Sequence, residues 1–425
     1  MEVRDPIHGA IRILDEEKGV IDHPLFQRLR NIKQLGFSEL AFPSATHNRY
    51  SHSVGAMALA EEAFQHLFPP GSFSTDGARE GYRRCLRLAT LLHDIGHPPL
   101  SHCTESAMPP VEELRLKAMS PPPGGRRSTH EDYTIKIVCE SSLSERIGAV
   151  WPALAPEHVA ALVEPAVQVE DGFFVDRGLD HRPILSQLVS GELDMDRLDY
   201  LMRDAHFAGV DYGRFDRRWL MTNLTSHIAE GDEVHLALDV RALYAFDDFL
   251  ISRYHMFLSV YFHHRAVIYE EMLKRFFREP GTSWVVPVDM DAYATVDDHD
   301  LMARLRASES TWARRIVEMD AYSLLVEKHG AAEDVDLGAV GRILESSGIP
   351  IIRAESSGVL SKYAGGHGGE GPSIWVVDNS SILAEPPRPI QESTDLFEKY
   401  HQARQIARIY VPPERVGDAR ELLAG

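Results

Sequence analysis

The 425-residue chain has little cysteine, little basic charge and no long apolar run. Three cysteines (Cys85, Cys103 and Cys139) are odd in number and unpatterned, which excludes a disulfide framework and fits free thiols in a reducing compartment. The net charge of −20 removes the generic basic surface that duplex nucleic acid or an anionic membrane requires. No uninterrupted apolar run approaches the ~18 residues of a membrane span. The start, Met1-Glu2-Val3-Arg4-Asp5-Pro6, lacks an apolar signal region, so a cytoplasmic protein is expected. A hydrophobic share of 44% with 25% charged residues excludes wholesale disorder. What the chain has in quantity is histidine, 21 residues with many in the first third.

The apolar spacing predicts a mostly α fold. Helices are expected over Leu25–Leu35, with Asp22 as N-cap and Pro24 in the first turn, then over His52–Leu67 and Glu80–Ile95. The last of these is dense in leucine and should be buried on most sides. Residues 107–127 contain Pro121-Pro122-Pro123-Gly124-Gly125 and read as a loop or lid. Helices resume at Thr129–Cys139 and Leu193–Phe207, and a long one is expected from Leu243 to Phe277. After about residue 330 short strand-like runs appear at Ile349–Ile352, Ser373–Val377 and Ile409–Val411, around a glycine-rich stretch at 365–369. The expected organisation is a helical domain over 1–330 and a smaller α+β lobe over 331–425.

The chemistry should lie in Leu92-His93-Asp94-Ile95-Gly96-His97-Pro98-Pro99-Leu100-Ser101-His102. An adjacent His-Asp pair at the polar end of an apolar helix offers an imidazole nitrogen and a carboxylate oxygen to one point. Burying that carboxylate is costly without a compensating cation. A second pair, His299-Asp300, sits in an acidic cluster before a helix and reads as an N-cap region. Company separates the two sites. Upstream, Arg49 and His52 stand at i and i+3 on the first turn of a helix, and downstream Asp196, Asp199, Tyr200 and Arg203 share a helical face.

Histidine, then His-Asp, then aspartate on three helices resembles an HD-domain metal site. Over residues 5–216 the chain resembles the deoxynucleoside-triphosphate triphosphohydrolase branch of the HD superfamily. That branch includes bacterial dNTP triphosphohydrolases and the catalytic core of the eukaryotic SAM-and-HD-domain enzyme. The matching runs are Asp5-Pro6-Ile7-His8-Gly9, Phe26–Gly36, His47–Ser53, the His93 block, Thr129-His130-Glu131 and Asp196-Arg197-Leu198-Asp199-Tyr200. The resemblance implies a helical HD core and a divalent ion (Mn, Mg, Fe, Zn or Ni) on His52, His93, Asp94 and Asp196. Such a mixed N/O set leaves positions open for water and a phosphate oxygen.

The resemblance also implies that Arg49, His97 and His130 contact the α-phosphate and that His102 protonates the departing 5′ oxygen. Glu105 stands where the family has an aspartate orienting that histidine, and Arg197 where it often has lysine. Gln34, Leu35, Tyr200 and, more weakly, Asp204 match sugar contacts that would select deoxy substrates. Tyr261 and His264 are offered as contacts from the long helix. Asp22, Gln27 and Arg30 match a site for an activating nucleotide, although Arg4 replaces an asparagine of that pattern. A homo-oligomer, dimer or tetramer, is expected. The implied reaction converts a dNTP to deoxynucleoside and inorganic triphosphate. Two alternatives stay open: another phosphoester substrate (a nucleoside monophosphate, a signalling nucleotide or single-stranded nucleic acid), or a nucleotide sensor whose catalysis has lapsed.

Overall fold

The computed structural model describes residues 1–119, 125–170, 172–280, 284–330, 335–358, 374–379, 385–396 and 404–424. The chain opens with a hairpin, β1 (Glu2–Asp5) against β2 (Gly9–Arg12), closed by Asp5, whose Oδ1 accepts the N–H groups of Ile7 and His8 at 2.9 Å each. The Asp-Pro-Ile-His-Gly run is therefore the turn of a hairpin.

The helix expected over Leu25–Leu35 is only a turn of α-helix at Pro24–Gln27 followed by a 3₁₀ turn at Arg28–Asn31. Its N-cap is His23, whose ring accepts the Leu25 N–H, while Asp22 closes the preceding turn and is exposed. The N-cap expected at Asp22 is thus corrected. Ile32 is extended, because Lys33 bridges Asn48 and draws this segment alongside the next helix.

Four helices build the core: α1 (Arg49–Leu67), α2 (Asp76–Leu92), α3 (His130–Glu140) and α4 (Met195–Ala208). In α2, Leu86, Leu88, Ala89, Leu91 and Leu92 are wholly buried, as their density foretells. Each such leucine is worth about 1.5–3 kcal/mol of transfer free energy. Arg87, buried on the same helix, is matched by a two-pronged bond to Glu17 at 2.6 and 2.7 Å.

Beyond α4 the near-continuous helical reading needs correction. Leu224–Ile228 (β3) and Val234–Asp239 (β4) form a hairpin. The long helix expected from Leu243 to Phe277 is broken: α5 (Leu243–Met256) passes into a π-helical turn at Phe257–Tyr261, and α6 (His264–Arg278) starts afresh. Next come α7 (Asp298–Ala307) and β5 (Ser323–Gly330).

The strands expected near the C-terminus are present with shifted bounds as β6 (Ile352–Gly358), β7 (Trp375–Val377) and β9 (Arg404–Val411), with β8 (Arg388–Pro389) between the last two. They make an antiparallel sheet in the order β5-β9-β6, and β7 runs parallel to β4 in a second sheet. Strand pairing therefore joins segments on both sides of residue 330. The triple proline of 121–123 and the glycine run of 365–369 lie outside the described residues.

Candidate active site

Local capping sets the key side chains. Asn48 caps α1 by accepting the Ser51 N–H at 3.0 Å, which puts Arg49 and His52 in the first turn. Asp194 caps α4 through the Arg197 N–H at 2.7 Å, with Asp196 in that first turn. Thr129 and Asp132 form a capping box that begins α3 at His130. His93 is the C-cap of α2, so the His-Asp pair sits where the helix stops and the chain turns. A Cβ on Gly96 would lie 2.1 Å from the His130 carbonyl oxygen, so only glycine lets this turn press against α3.

Four donor groups converge. His52 Nε2 lies 3.0 Å from Asp196 Oδ1, 3.4 Å from Asp94 Oδ2 and 3.4 Å from His93 Nε2. His93 Nε2 lies 3.4 Å from Asp196 Oδ1 and 3.5 Å from Asp94 Oδ1. The opposite ring nitrogens are already committed, His52 Nδ1 to Asp199 Oδ2 at 2.7 Å and His93 Nδ1 to the Thr90 carbonyl at 2.7 Å. Both Nε2 atoms therefore aim lone pairs at the same point as two carboxylates. The 3.0–3.5 Å separations from the two Nε2 atoms suit ligands bonded to one ion at about 2.1 Å.

This concentration of acceptors needs positive charge. Burial pushes the His52 imidazole down, but hydrogen bonds with Asp196 and Asp199 carry it up to about 10, so a proton fills the role when no cation does. Burial opposes the Asp94 carboxylate too, yet Arg49, His93 and His97 hold it well below the usual range. Asp196 is likewise held low against burial by His93 and His52. His52, His93 and Asp94 lie close enough together to hold a divalent ion, and Asp196, beside both histidines, could complete the set; its identity is open to any metal that accepts mixed N/O ligands.

Beside this cage lies a second cluster of His97, His102, Glu105 and His130. The Glu105 carboxylate reaches both His102 Nδ1 (3.0 Å) and His130 Nδ1 (2.8 Å), so its extra methylene keeps the contact. Against burial, these two histidines hold Glu105 far below the usual carboxylate range. His97 stacks on His130 at 3.8 Å and faces Asp94 at 3.2 Å. Burial, with Arg49 and His130 nearby, keeps His97 well below an ordinary imidazole, and its buried Nδ1 has no hydrogen-bond partner among the described residues. Arg49 pairs with Asp94 and donates to Ser101 Oγ at 2.8 Å. The His102 side chain is 65% exposed and accessible to a ligand.

A third group is aromatic and polar. Asp204 receives Tyr261 Oη at 2.8 Å on one oxygen and His47 Nε2 at 2.7 Å on the other, and Tyr200 lies edge-on to Tyr261 at 6.3 Å. The π-helical turn brings Tyr261 here. The Gln34 N–H donates to the His47 carbonyl, and its buried Oε1 has no partner among the described residues. Leu35 packs against the core beside it. Arg197 is occupied by Asp194 at 3.0 Å.

Other expected residues lie apart from these groups. The His264 carbonyl receives Tyr410 Oη, and its imidazole stands near Glu327 and Arg408 of the C-terminal sheet. Gln27 binds Arg30 at 2.7 Å, Arg30 stacks over Tyr50 at 3.6 Å, and Asp22 is at the surface nearby in sequence. The His299-Asp300 pair is the helix start it was read to be, capped by Asp297.

Sequence reasoning missed the shell that orients His52. Asp199, wholly buried, binds His52, His8 Nε2 (2.5 Å) and both Nε and Nη2 of Arg203 (2.8 and 2.9 Å), and Arg203 reaches Asp5 at 2.7 Å. The signal was present in the spacing Asp199-x₃-Arg203 and in Asp5 and His8 of the first run.

A helical core bearing histidine, then His-Asp, then aspartate around one point is the arrangement of an HD domain. The family model for the HD domain matches residues 49–200, and that for the HD associated region matches residues 215–328. The chain belongs to the HD-domain proteins. It is 28% identical over 328 residues to an uncharacterised protein of Methanocaldococcus jannaschii, covering 76% of this chain and 59% of that one. It is 31% identical over 229 residues to human deoxynucleoside triphosphate triphosphohydrolase SAMHD1, covering 50% of this chain and 35% of that one. A solved structure of a hypothetical protein from Aquifex aeolicus superposes with a TM-score of 0.74 at 26% identity, over 100% of this chain and 99% of that one. The chain spans about half the length of the curated relatives it matches. Among the described residues no helix is long and apolar enough to cross a membrane.

Proposed function

We propose that the protein hydrolyses deoxynucleoside triphosphates to deoxynucleoside and inorganic triphosphate. The observation that carries this reading is the adjacency of two clusters, a four-donor cage and a histidine–glutamate group, joined through the Asp94–His97 contact at 3.2 Å. The resemblance to an enzyme named for dNTP triphosphohydrolysis supports the substrate class.

In this reading His52, His93, Asp94 and Asp196 hold a divalent ion, which when bound would polarise a phosphate oxygen and acidify water. Arg49 and neutral His97 offer hydrogen bonds to the α-phosphate, the latter through the Nε2–H that faces Asp94 at 3.2 Å. Glu105 fixes Nδ1 of His102 and so turns its Nε2 outward, where it can deliver a proton to the departing 5′ oxygen. His130, braced by the same carboxylate, backs His97. At the sugar end, Tyr200 and Tyr261 narrow the space beside Asp204, and Gln34 Oε1 stands ready for a hydroxyl. A close wall there excludes a 2′-hydroxyl sterically.

The test is to incubate the full chain with each dNTP and NTP plus Mn²⁺ or Mg²⁺ and to resolve the products. Free deoxynucleoside and triphosphate are expected, with dNTPs preferred. Monophosphate products, or turnover that survives Asp94→Ala, would overturn the reading.

A further inference from the structure

The turn that carries His97 and His102 is gripped from outside the HD domain. Tyr293 Oη donates to the Gly96 carbonyl at 2.8 Å. The Arg28 guanidinium ties the Val296 carbonyl (3.0 Å) to those of Ile95 (2.9 Å) and His97 (2.8 Å). Asp298 then spans two loops: Oδ1 accepts the Leu100 N–H at 2.6 Å and Oδ2 accepts the Lys33 N–H at 2.9 Å.

Leu100 and Ser101 are consecutive left-handed residues (φ 56° and 58°), neither is glycine, and they directly precede His102. L-residues adopt this conformation in succession only where their surroundings impose it. Ser101 Oγ donates to the Lys33 carbonyl at 2.7 Å, so Asp298 and Ser101 hold the two ends of one residue. That closes a ring between the His102 loop and the strand-like segment that leads to Gln34. Helix capping does not account for Asp298. Its neighbour Asp297 performs that task through the N–H groups of His299 and Asp300. A carboxylate only 6% exposed, with both oxygens on backbone of other elements, is placed to fix those elements.

We propose that Asp298 is a positioning residue, contributed by the HD associated region, that locks the Leu100–Ser101 turn and so sets His102 relative to the sugar end of the pocket. The proposal rests on His102 as the proton donor of the reaction above. Asp298 touches no residue of the metal cage, so its removal should leave metal uptake alone.

The experiment compares wild type, Asp298→Asn and the exposed-surface control His299→Ala as full chains. It measures bound metal, KM and kcat for dNTP hydrolysis, and a crystal structure of each. For Asp298→Asn the expected result is unchanged metal content, KM within about threefold, kcat lower on the order of 10²-fold, and a displaced 100–102 turn. If that variant is insoluble, Asp298→Glu, which keeps the charge but shifts both oxygens, replaces it with the same expectations. An unchanged kcat, or a fall that only tracks lost metal or lost folded protein, overturns the proposal. Should wild type turn over no dNTP, the substrate reading fails by itself. The crystal structures then decide the positioning role, a displaced turn supporting it and an unmoved one overturning it.

Discussion

His52 hands one ring nitrogen to Asp199 at 2.7 Å and turns the other toward Asp196 at 3.0 Å, so a single imidazole links a buried ion-pair network to the cage. Asp199 in turn is held by Arg203 and His8. A carboxylate behind a ligating histidine fixes its tautomer and raises its basicity. Asp199→Asn should therefore lower metal affinity by about 10- to 100-fold. It also weakens the buried Arg203 network, which keeps its Asp5 partner, at a cost of about 1–3 kcal/mol. Calorimetric metal titration and denaturant unfolding separate the two effects, and an unaltered affinity in folded protein would contradict the orienting role.

Gly55 is the space that this network occupies. A Cβ there would stand 2.2 Å from both Arg203 Nη2 and Asp199 Oδ1. Gly55→Ala, although it favours the helix by up to about 1 kcal/mol, must displace the ion pair, and overpacking costs about 1–3 kcal/mol. A net loss of thermal stability with weaker metal binding is expected. A more stable variant with normal metal content would show that the pair can yield.

Removing metal should destabilise the fold, because acceptors from α1, α2 and α4 face one another there. At a metal concentration a hundredfold above Kd, binding adds about 2.7 kcal/mol to stability. Thermal scans with chelator, then with Mn²⁺ or Zn²⁺ restored, should show a reversible fall and rise of Tm. Asp196→Ala should abolish the difference between the two scans.

Much of this site is legible in the amino-acid sequence. His52, His93, Asp94 and Asp196 converge, and Glu105 reaches His102, because each sits at a helix end marked by a local cap or stop. The unread parts are those fixed by tertiary contact. Tyr261 meets Asp204 through a π-helical turn that carries no spacing signal of its own. The helix expected over Leu25–Leu35 stops at Asn31, because the Lys33–Asn48 bridge and the Asp298 carboxylate pull residues 32–35 out of helix. The β3–β4 hairpin escaped notice because β4 is buried along its whole length and shows no alternation.

Glu105→Gln keeps the size of the side chain and removes the charge that two histidines share. The amide oxygen can accept from only one of them well, so His102 and His130 lose their common anchor. A proton donor displaced in this way loses about 10²- to 10⁴-fold in rate. The expected outcome is a fall in kcat of that order with metal content unchanged, since Glu105 contacts none of the cage donors. Equal kcat in the variant would remove His102 from the proposed role.

Asp298 also makes a statement about pH. Burial pushes its carboxyl up to about 6 in spite of the two backbone N–H groups and nearby Lys33, with Asp297 adding to the rise. An acid whose folded value exceeds its unfolded one favours the folded state while it stays protonated. Its contribution is therefore fully present below about 4 and is lost as pH rises through about 6. A displacement of that size corresponds to about 3 kcal/mol. Asparagine carries no such dependence. The stability of Asp298→Asn minus that of wild type should thus rise by about 2–3 kcal/mol between pH 4 and pH 7, whatever constant penalty the lost hydrogen bond imposes. Urea unfolding of both proteins across that range measures the slope directly. Parallel stability curves would mean that Asp298 is already ionised at pH 4, held by the Leu100 and Lys33 N–H groups more strongly than burial opposes it.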